Sequence, residues 1–498
     1  AGTARSLFGG LSLAVDSAAR RPQRPLVEAD IERLHARAQY RRTFDEYAKR
    51  MFDDPRKAAQ MLAQLEDVLA GATPQDAASQ LADLAAEHRR AGHWRLSEDT
   101  LTQLVQRYPD QPVALDAMRW LLLSWTSQEV RWQRLQALSA DRSTVTIDRD
   151  LVQASFARAR SREEALSGND DPATSPDGGA QSAVKVESVG GQLKIGGQLG
   201  QRMHEVERWQ QQAERIAAIL KRNAPTYAAT AEIQFPYATL MRHRGRHAVA
   251  DEVYRSFAMA PGETAWLKAA QGEIWLVGPQ AVSPKPVLQC LRCETPPVLD
   301  GRLDDDCWQA ASAVRLTPPS NARDSAETFV GADRLEQKSR GGAGSEATVM
   351  LSHDSRYLYL AARIPRVPGL PDDPPQMAGR THDSNQTGLD RLSLQIDVDR
   401  DYSTFYRFDV DQRGGTREAC WDNESWNPQW FVAVDGSRDE WRIEAAIPLD
   451  QLVPTPPDAR TTWAVGLTRI IPTRGIESWQ HPAGLEPIPA AFGLVKFR

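Results

Sequence analysis

Three sets of residues in this 498-residue chain have the types and spacing to do chemistry. The first is Asp397-x-Asp399-x-Asp401, with carboxylates on alternate positions. Hard oxygen donors so spaced suit Ca²⁺, although the glycine and distal glutamate of an EF-hand loop are missing and Arg400 stands inside the run. A turn at a strand end is the plainer reading. The second set is the tryptophans of CWDNESWNPQW, Cys420 to Trp430, together with Trp479. An indole face offers a large apolar area and a quadrupole that attracts the polarised C–H face of a sugar. Trp421, Trp426, Trp430 and Trp479 are therefore candidate stacking residues, with Asp383 and Asn385 as hydrogen-bonding partners. The competing role is structural plugging. Trp430 opens the alternating run WFVAV and reads as core, whereas Trp426, between Ser425 and Asn427, reads as exposed.

The third set is Cys290, Cys293, Cys307 and Cys420, all in the C-terminal half. An even count confined to one region points to two disulfides, in any of three pairings, in an oxidising compartment. Free thiols are an alternative. A zinc site is another, because Cys290-x-x-Cys293 has ligand spacing, but no second close pair follows. Catalytic signatures are missing: there is no G-x-S-x-G, no P-loop, no clustered histidines and no histidine partner for a cysteine. HRGRH, His243 to His247, reads as a solvated turn. The chain reads as non-catalytic.

Two kinds of element must hold these residues. Residues 1–165 read as an all-α part, with apolar residues at three- and four-residue spacing in segments such as PRKAAQMLAQLEDVLAG. Leu81, Leu84, Ala85, His88, Ser97, Leu101, Leu104 and Pro109 occupy the eight signature positions of a tetratricopeptide-like repeat, with His88 in place of the usual aromatic and Ser97 in place of alanine. Residues 166–200, rich in Gly, Ser, Asp and Pro, read as a flexible linker or loop. Helices resume over 201–280. From Pro296 the period becomes that of strands: ATVMLSHD, RYLYLAARI, RLSLQIDVD, FYRFDVDQ, WFVAVDG, EWRIEAAIPL, TTWAVGLTRII and FGLVKF alternate between turn residues, the pattern of an antiparallel β-sandwich. Pro318–Ser345 and Pro365–Gly388 read as long loops. The fold class is therefore multidomain, all-α then all-β.

Composition narrows the function classes. A formal net charge of −6 argues against a general nucleic-acid binder, and no apolar run is long enough for a transmembrane helix. The opening AGTARSLFGG lacks a starting Met and a signal-peptide pattern, and reads as a processed or trimmed chain.

Seven blocks of the C-terminal part then carry a resemblance. PPVLDGRLDDDCWQAA, ATVMLSHDSRYLYLAARI, LDRLSLQIDVDRDYSTFYRFDVDQRGG, DEWRIEAAIPLDQL, TTWAVGLTRIIP, ESWQHP and FGLVKF follow the order and spacing of family 9 carbohydrate-binding modules, over residues 290–498. The resemblance implies a β-sandwich that binds the ends of sugar chains and holds calcium structurally. Members of that family sandwich a sugar between two tryptophans. Here the first of those positions falls near Thr387, and the second loop, AGLEPIPAAFG, has no aromatic residue before Phe492. The family's ligand carboxylate and arginine fall on Ser393 and Asp409. A sugar site must therefore be rebuilt, and the tryptophans named above are the material for it. Haem-binding relatives of the same sandwich use Met with His or Lys, for which Met350 or Met377 with His382 would be the set.

The expectation is an extracytoplasmic bacterial protein that binds carbohydrate or a cell-envelope polymer, its helical repeats scaffolding protein partners. The alternative is an assembly protein whose sandwich has lost its sugar site.

Overall fold

The computed structural model describes residues 72–140, 195–278, 282–319, 346–370 and 384–498, with four isolated positions upstream. The 166–200 linker up to residue 194, both long loops for most of their length, and Asp383, Met377 and His382 lie outside the described residues. The chain forms two compact units, Ala1–Met118 and Arg119–Arg498. Among the described residues no helix is long and apolar enough to cross a membrane.

In the first unit, α1 (Pro74–Arg90) and α2 (Trp94–Arg107) pack as a helix pair. Thr73 caps α1, its hydroxyl accepting from Asp76 N at 3.2 Å, and Pro74 sits at the first helical position. Leu81, Leu84, Ala85, His88, Ser97, Leu101 and Leu104 are all buried. This is the seam a tetratricopeptide-like unit needs, and a helical hairpin of any other kind needs it equally. Next comes α3 (Pro112–Thr126), within which the boundary between the two units falls.

The second unit contains α4 (Gln128–Ala140), α5 (Ile195–Asn223), α6 (Pro225–Ala228), α7 (Ala231–His243), α8 (His247–Ala258) and α9 (Ala265–Val277). The strands follow: β1 (Val287–Arg292), then short helix α10 (Asp306–Ala310), β2 (Ala313–Arg315), β3 (Thr348–His353), β4 (Tyr357–Pro365), β5 (Arg391–Asp397), β6 (Tyr406–Asp411), β7 (Thr416–Cys420), β8 (Phe431–Gly436) and β9 (Glu440–Pro448). Helix α11 (Leu449–Leu452), β10 (Thr462–Ile471), β11 (Gly475–Ser478) and β12 (Gly493–Phe497) complete it. The 201–280 helices thus belong to the same compact unit as the strands.

Hydrogen bonds run continuously through β7-β6-β5-β10-β12-β1-β3-β4-β9-β8, with β11 on β10 and β2 on β3. The ladder curls so that its two halves face each other across one core, a β-sandwich. Its pairing is not purely antiparallel. β1 runs parallel to β12 (Val287↔Leu494 to Cys290↔Phe497) and to β3 (Leu291↔Ser352, Arg292↔His353). Parallel neighbours need a long crossover, and here the rest of the sandwich supplies it.

Alternation decides which side chains face the core. Leu392, Leu394 and Ile396 of β5, Tyr406, Phe408 and Val410 of β6, and Leu358, Leu360, Ala362 and Ile364 of β4 point inward with Trp441, Trp463 and Phe497. Asp300-Gly301 makes the expected turn: Gly301 has φ +82°, and a Cβ there would meet Asp435 at 2.7 Å. Buried Glu444 receives Asp300 N, Gly301 N and the Trp308 indole N–H at 3.0, 2.7 and 2.7 Å, which fixes this lead-in on the sheet.

The expected disulfides do not form. All four cysteines are separate buried thiols, because no two of them come within disulfide distance. Cys290 (β1) and Cys420 (β7) fill the main core, whereas Cys293 and Cys307 (α10) fill a smaller one with Trp308 and Tyr359. Apolar burial pushes the Cys307 thiol up to about 12 and raises Cys290 and Cys420 as well. Met350, of the haem set, packs against that smaller core.

Candidate ligand-binding site

The polar residues of β5, β6 and β7 occupy the face opposite the core. Ser393 pairs with Asp409, and Asp409 with Arg417, so these three form a row across the strands. Arg391 lies two residues before Ser393 on β5, and Arg407 two before Asp409 on β6, which puts them on the same face. Over this face lies a cleft of about 370 Å³, lined by Ser384, Asn385, Gln386 and Thr387, by the three arginines with Asp409, and by Glu424 from the loop after β7. The volume is in the range of small-ligand sites.

Local folding explains why the cleft stays open. The 384–387 segment is tied to the loop after β6: Ser384 N donates to Thr416 O at 3.2 Å and Gln386 Nε2 to Gly415 O at 2.9 Å. That approach requires glycine, since a Cβ on Gly415 would meet Asp411 Oδ2 at 2.5 Å and Ser384 Oγ at 2.6 Å. The Asn385 carboxamide accepts from Thr387 N at 3.0 Å, an Asx turn that holds the wall in place. Below it, Asp390 and Arg469 form a buried fork, Nε–Oδ1 2.9 Å and Nη2–Oδ2 2.6 Å, anchoring the start of β5 to β10.

Charge is unevenly matched inside the cleft. Arg407 grips Asp409 with both arms, Nε–Oδ1 3.0 Å and Nη2–Oδ2 2.9 Å, and the Ser393 hydroxyl also donates to Asp409. Arg417 meets Glu424 at 3.1 Å on the rim. Arg391 donates to the carbonyl of Gln386 at 3.1 Å and, among the described residues, has no carboxylate within ion-pair distance. Burial lowers its pKa, Asp409 opposes that, and Arg407 and Arg417 add to the lowering.

The tryptophans are elsewhere. Trp426, expected to be exposed, is 8% exposed, its ring packed on Tyr406 and Phe408 at centroid distances of 4.8 and 5.5 Å. Trp430 is buried against Phe408 and donates its indole N–H to Glu418. Trp479 lies against the core beside Gly493, where a Cβ would meet its ring at 2.6 Å. Trp421 stacks on Trp120 of α3 (5.4 Å, 24°), whose indole N–H donates to Asp422 at 3.0 Å. The indole-rich loop thus docks a helix and fills the core, because its faces already have aromatic partners. Of the predicted hydrogen-bonding residues, Asn385 lines the cleft and Asp383 lies outside the described residues.

The carboxylate triad also rearranges. Asp401 leaves it: its oxygens accept from Ser403 N and Thr404 N, both at 2.7 Å, and from the Thr404 hydroxyl at 2.8 Å. Glu129 of α4 replaces it, and oxygens of Glu129, Asp397 and Asp399 lie within 4.8 Å of one another in the interior. Asp397 accepts from Asp401 N and Tyr402 N, Glu129 from Val398 N, and Asp399 Oδ2 from Gln128 N. Asp399 Oδ1 is buried without a hydrogen-bond partner, an orphan oxygen that a cation would satisfy. Burial raises the pKa of Glu129, Asp397 and Asp399, and the close carboxylates reinforce this at Glu129 and Asp397.

The same loop is clamped by the helices. Glu273 of α9 accepts from Arg400 Nε (2.8 Å), Arg242 Nη1 (2.9 Å) and the Tyr402 hydroxyl (2.7 Å), while Arg242 also donates to Asp399 O at 2.6 Å. Burial alone would raise the Glu273 carboxyl, but Arg400 and Arg242 hold it below its ordinary value. Arg400 and Tyr402 have φ of +54° and +55°, a conformation that side chains resist and this network enforces. HRGRH is a largely exposed turn, as expected, with His243 at its start: Arg131 donates to the His243 Nδ1 at 2.9 Å, and burial and the adjacent arginines lower its pKa.

Sequence reasoning missed Arg391, Arg407, Arg417, Gln386 and Glu424. The signal for the arginines was present in RLSLQ, YRFDVD and TREAC, where charged or polar residues alternate with the core-facing set.

No family model matches the chain, and no curated protein does. Among solved structures, a family 9 carbohydrate binding module from Caldicellulosiruptor kristjanssonii in complex with cellotriose is similar over 43% of this chain and 94% of its own, at 14% identity and TM-score 0.30. The module from the same organism in complex with glucose is similar over 42% and 95%, at 15% identity and TM-score 0.29. The C-terminal part of this chain resembles family 9 carbohydrate-binding modules.

Proposed function

We propose that this is a non-catalytic, extracytoplasmic protein that binds carbohydrate in the cleft over β5, β6 and β7. One observation carries the reading. Thr387 and Asp409, where two of the family's ligand positions fall, line an open cleft, and Ser393, where a third falls, donates to Asp409. The positions are relined rather than filled in, and they are relined with hydrogen-bonding groups, which suit sugar hydroxyls. The C. kristjanssonii module carries cellotriose or glucose in its solved complexes, and an extracytoplasmic setting rests on that module type now that the cysteines no longer argue for it.

Glycan-array screening of the whole chain, followed by calorimetry with Asn385→Ala and Arg417→Ala, tests the site. Both residues line the cleft, so each substitution should weaken binding at least about tenfold without unfolding the protein. Unchanged affinity in both variants would remove the cleft from the proposal, and a blank array would remove carbohydrate.

Two further parts of the proposal have their own tests. Calcium would be held by Glu129, Asp397 and Asp399, so millimolar CaCl₂ should raise Tm in the wild type and not in Glu129→Gln; no rise leaves the cluster a purely structural network. The helices of the first unit serve as the scaffold that docks protein partners, and loss of co-purifying partners on deleting residues 1–118 is the expected outcome.

A further inference from the structure

The chemistry of the cleft narrows the class of sugar, on the premise that the cleft binds carbohydrate. Neutral pyranoses gain much of their affinity by stacking on an aromatic face. Among the described residues, none lining this cleft is aromatic: they are Ser, Asn, Gln, Thr, Arg, Asp and Glu. Three guanidiniums and two carboxylates line it, and a third carboxylate, Asp411, stands opposite Arg391 on β6 just behind the lining.

One of the three guanidiniums lacks a direct carboxylate contact among the described residues. Asp409 is taken by the Arg407 fork, and Glu424 is taken by Arg417. Arg391, half-buried at the start of β5, has a neutral carbonyl as its hydrogen-bond partner; Asp409 and its cross-strand neighbour Asp411 are near enough to favour its charge, but among the described residues neither lies within ion-pair distance. A partly desolvated guanidinium is stabilised most by a planar anion that accepts two N–H bonds. Its neighbours fit that use: Asn385 and Thr387 stand beside it with hydrogen-bonding side chains for the hydroxyls of the same residue.

We infer that the cleft selects an anionic sugar, with Arg391 receiving the charged group, a uronate carboxylate or a sulfate ester. The rim pair Arg417–Glu424 is solvent-exposed and can part to let a charged ring pass, whereas the buried Arg407–Asp409 fork forms the fixed floor.

Calorimetry with the whole chain distinguishes the cases, using tri-galacturonate, its fully methyl-esterified form, a sulfated dextran oligosaccharide and cellotriose. One of the two charged probes should bind roughly ten- to hundredfold tighter than the neutral ones, the range for a hydrogen-bonded charge pair. Whichever charged probe binds identifies carboxylate or sulfate as the group. Arg391→Gln should abolish that preference and Arg391→Lys should keep part of it, with circular dichroism and Tm verifying that both variants fold. Neutral and charged probes binding equally would overturn the inference while leaving the carbohydrate reading intact. A charge preference that survives in Arg391→Gln would overturn the role of Arg391. Binding of inorganic sulfate with no oligosaccharide binding would sink the carbohydrate reading and the sugar inference together.

Discussion

Glu273→Ala is the sharpest test of how the helices and the strands of the second unit depend on each other. Glu273 is 4% exposed and receives the guanidiniums of half-buried Arg242 and Arg400 and the phenol of buried Tyr402. Alanine would leave Arg400 and Arg242 without their carboxylate. Removing one partner of a buried ion pair costs about 3–5 kcal/mol. Some of the network survives, because Arg242 still donates to Asp399 O and Arg400 to Thr462 O, which argues for the lower half of that range. The clamp also holds Arg400 and Tyr402 at positive φ, and its loss frees that loop to relax. Against a typical unfolding free energy of about 5–15 kcal/mol, a loss of about 3–4 is a large fraction. In urea, with a slope near the ~3 kcal/mol/M upper end for small proteins, the midpoint should fall by about 1 M at unchanged slope. Glu273→Gln keeps an acceptor and should lose less. Far-UV circular dichroism follows mainly the helices and tryptophan fluorescence the packing of indoles on helices and strands alike, and the two transitions should coincide. A midpoint shift below about 0.3 M, or strands that melt apart from helices in the wild type, would refute the reasoning.

Three other predictions are independent of it. Buried Lys285 donates to Ala490 O at 2.8 Å over the Tyr402 ring, and burial drives its ammonium down from 10.5 to about 7. A lowered lysine contributes stability that is complete above the unfolded value and lost as pH falls through the folded one, so stability should rise between pH 7 and about 10, by at most ~5 kcal/mol; Lys285→Met should flatten that slope, measured by urea titrations at several pH values. Glu444→Ala would orphan Gly301 N and the Trp308 indole N–H, while Asp300 N keeps its bond to Val298 O, a loss of roughly 2–4 kcal/mol that thermal unfolding would register, with Glu444→Gln milder. Because all four thiols are buried and none is paired, Ellman's reagent should find essentially none in the native protein and four after denaturation without reductant; fewer than four on denaturation would mean a disulfide.

Most of the fold could be read from the chain, and the site mostly could not. All eight strands anticipated from alternation are present, five to ten residues long, because a strand with one face toward the core must alternate. The strands missed were β1, β2, β7 and β11: two are short, and VLQCLR of β1 alternates too weakly to stand out. Trp308 faces inward from α10, although Asp305 at the start of that helix makes no side-chain capping bond. The tryptophans misled because composition says nothing about partners: Trp426 has polar neighbours in sequence, yet Tyr406 and Phe408 cover it from the adjoining strand. Glu129 could not be paired with Asp397 and Asp399, since some 270 residues separate them and only the tertiary fold closes that distance. That Arg391 makes no direct ion pair among the described residues is likewise set by the tertiary fold, which gives Asp409 to Arg407 and Glu424 to Arg417.

The placement of β12 between β10 and β1 has a consequence for how the protein is made. At a ribosomal rate of about 5–20 residues per second, β1 emerges roughly 10–40 s before the strand it pairs with, about two hundred residues later. During that interval its other neighbour, β3, can hold it by just two residue pairs. The nascent chain therefore carries an open edge, VLQCLR, of the kind that templates pairing between molecules. Yield should depend on whatever shields that edge during synthesis, a chaperone or a slow stretch of translation, more than on the stability of the finished sandwich.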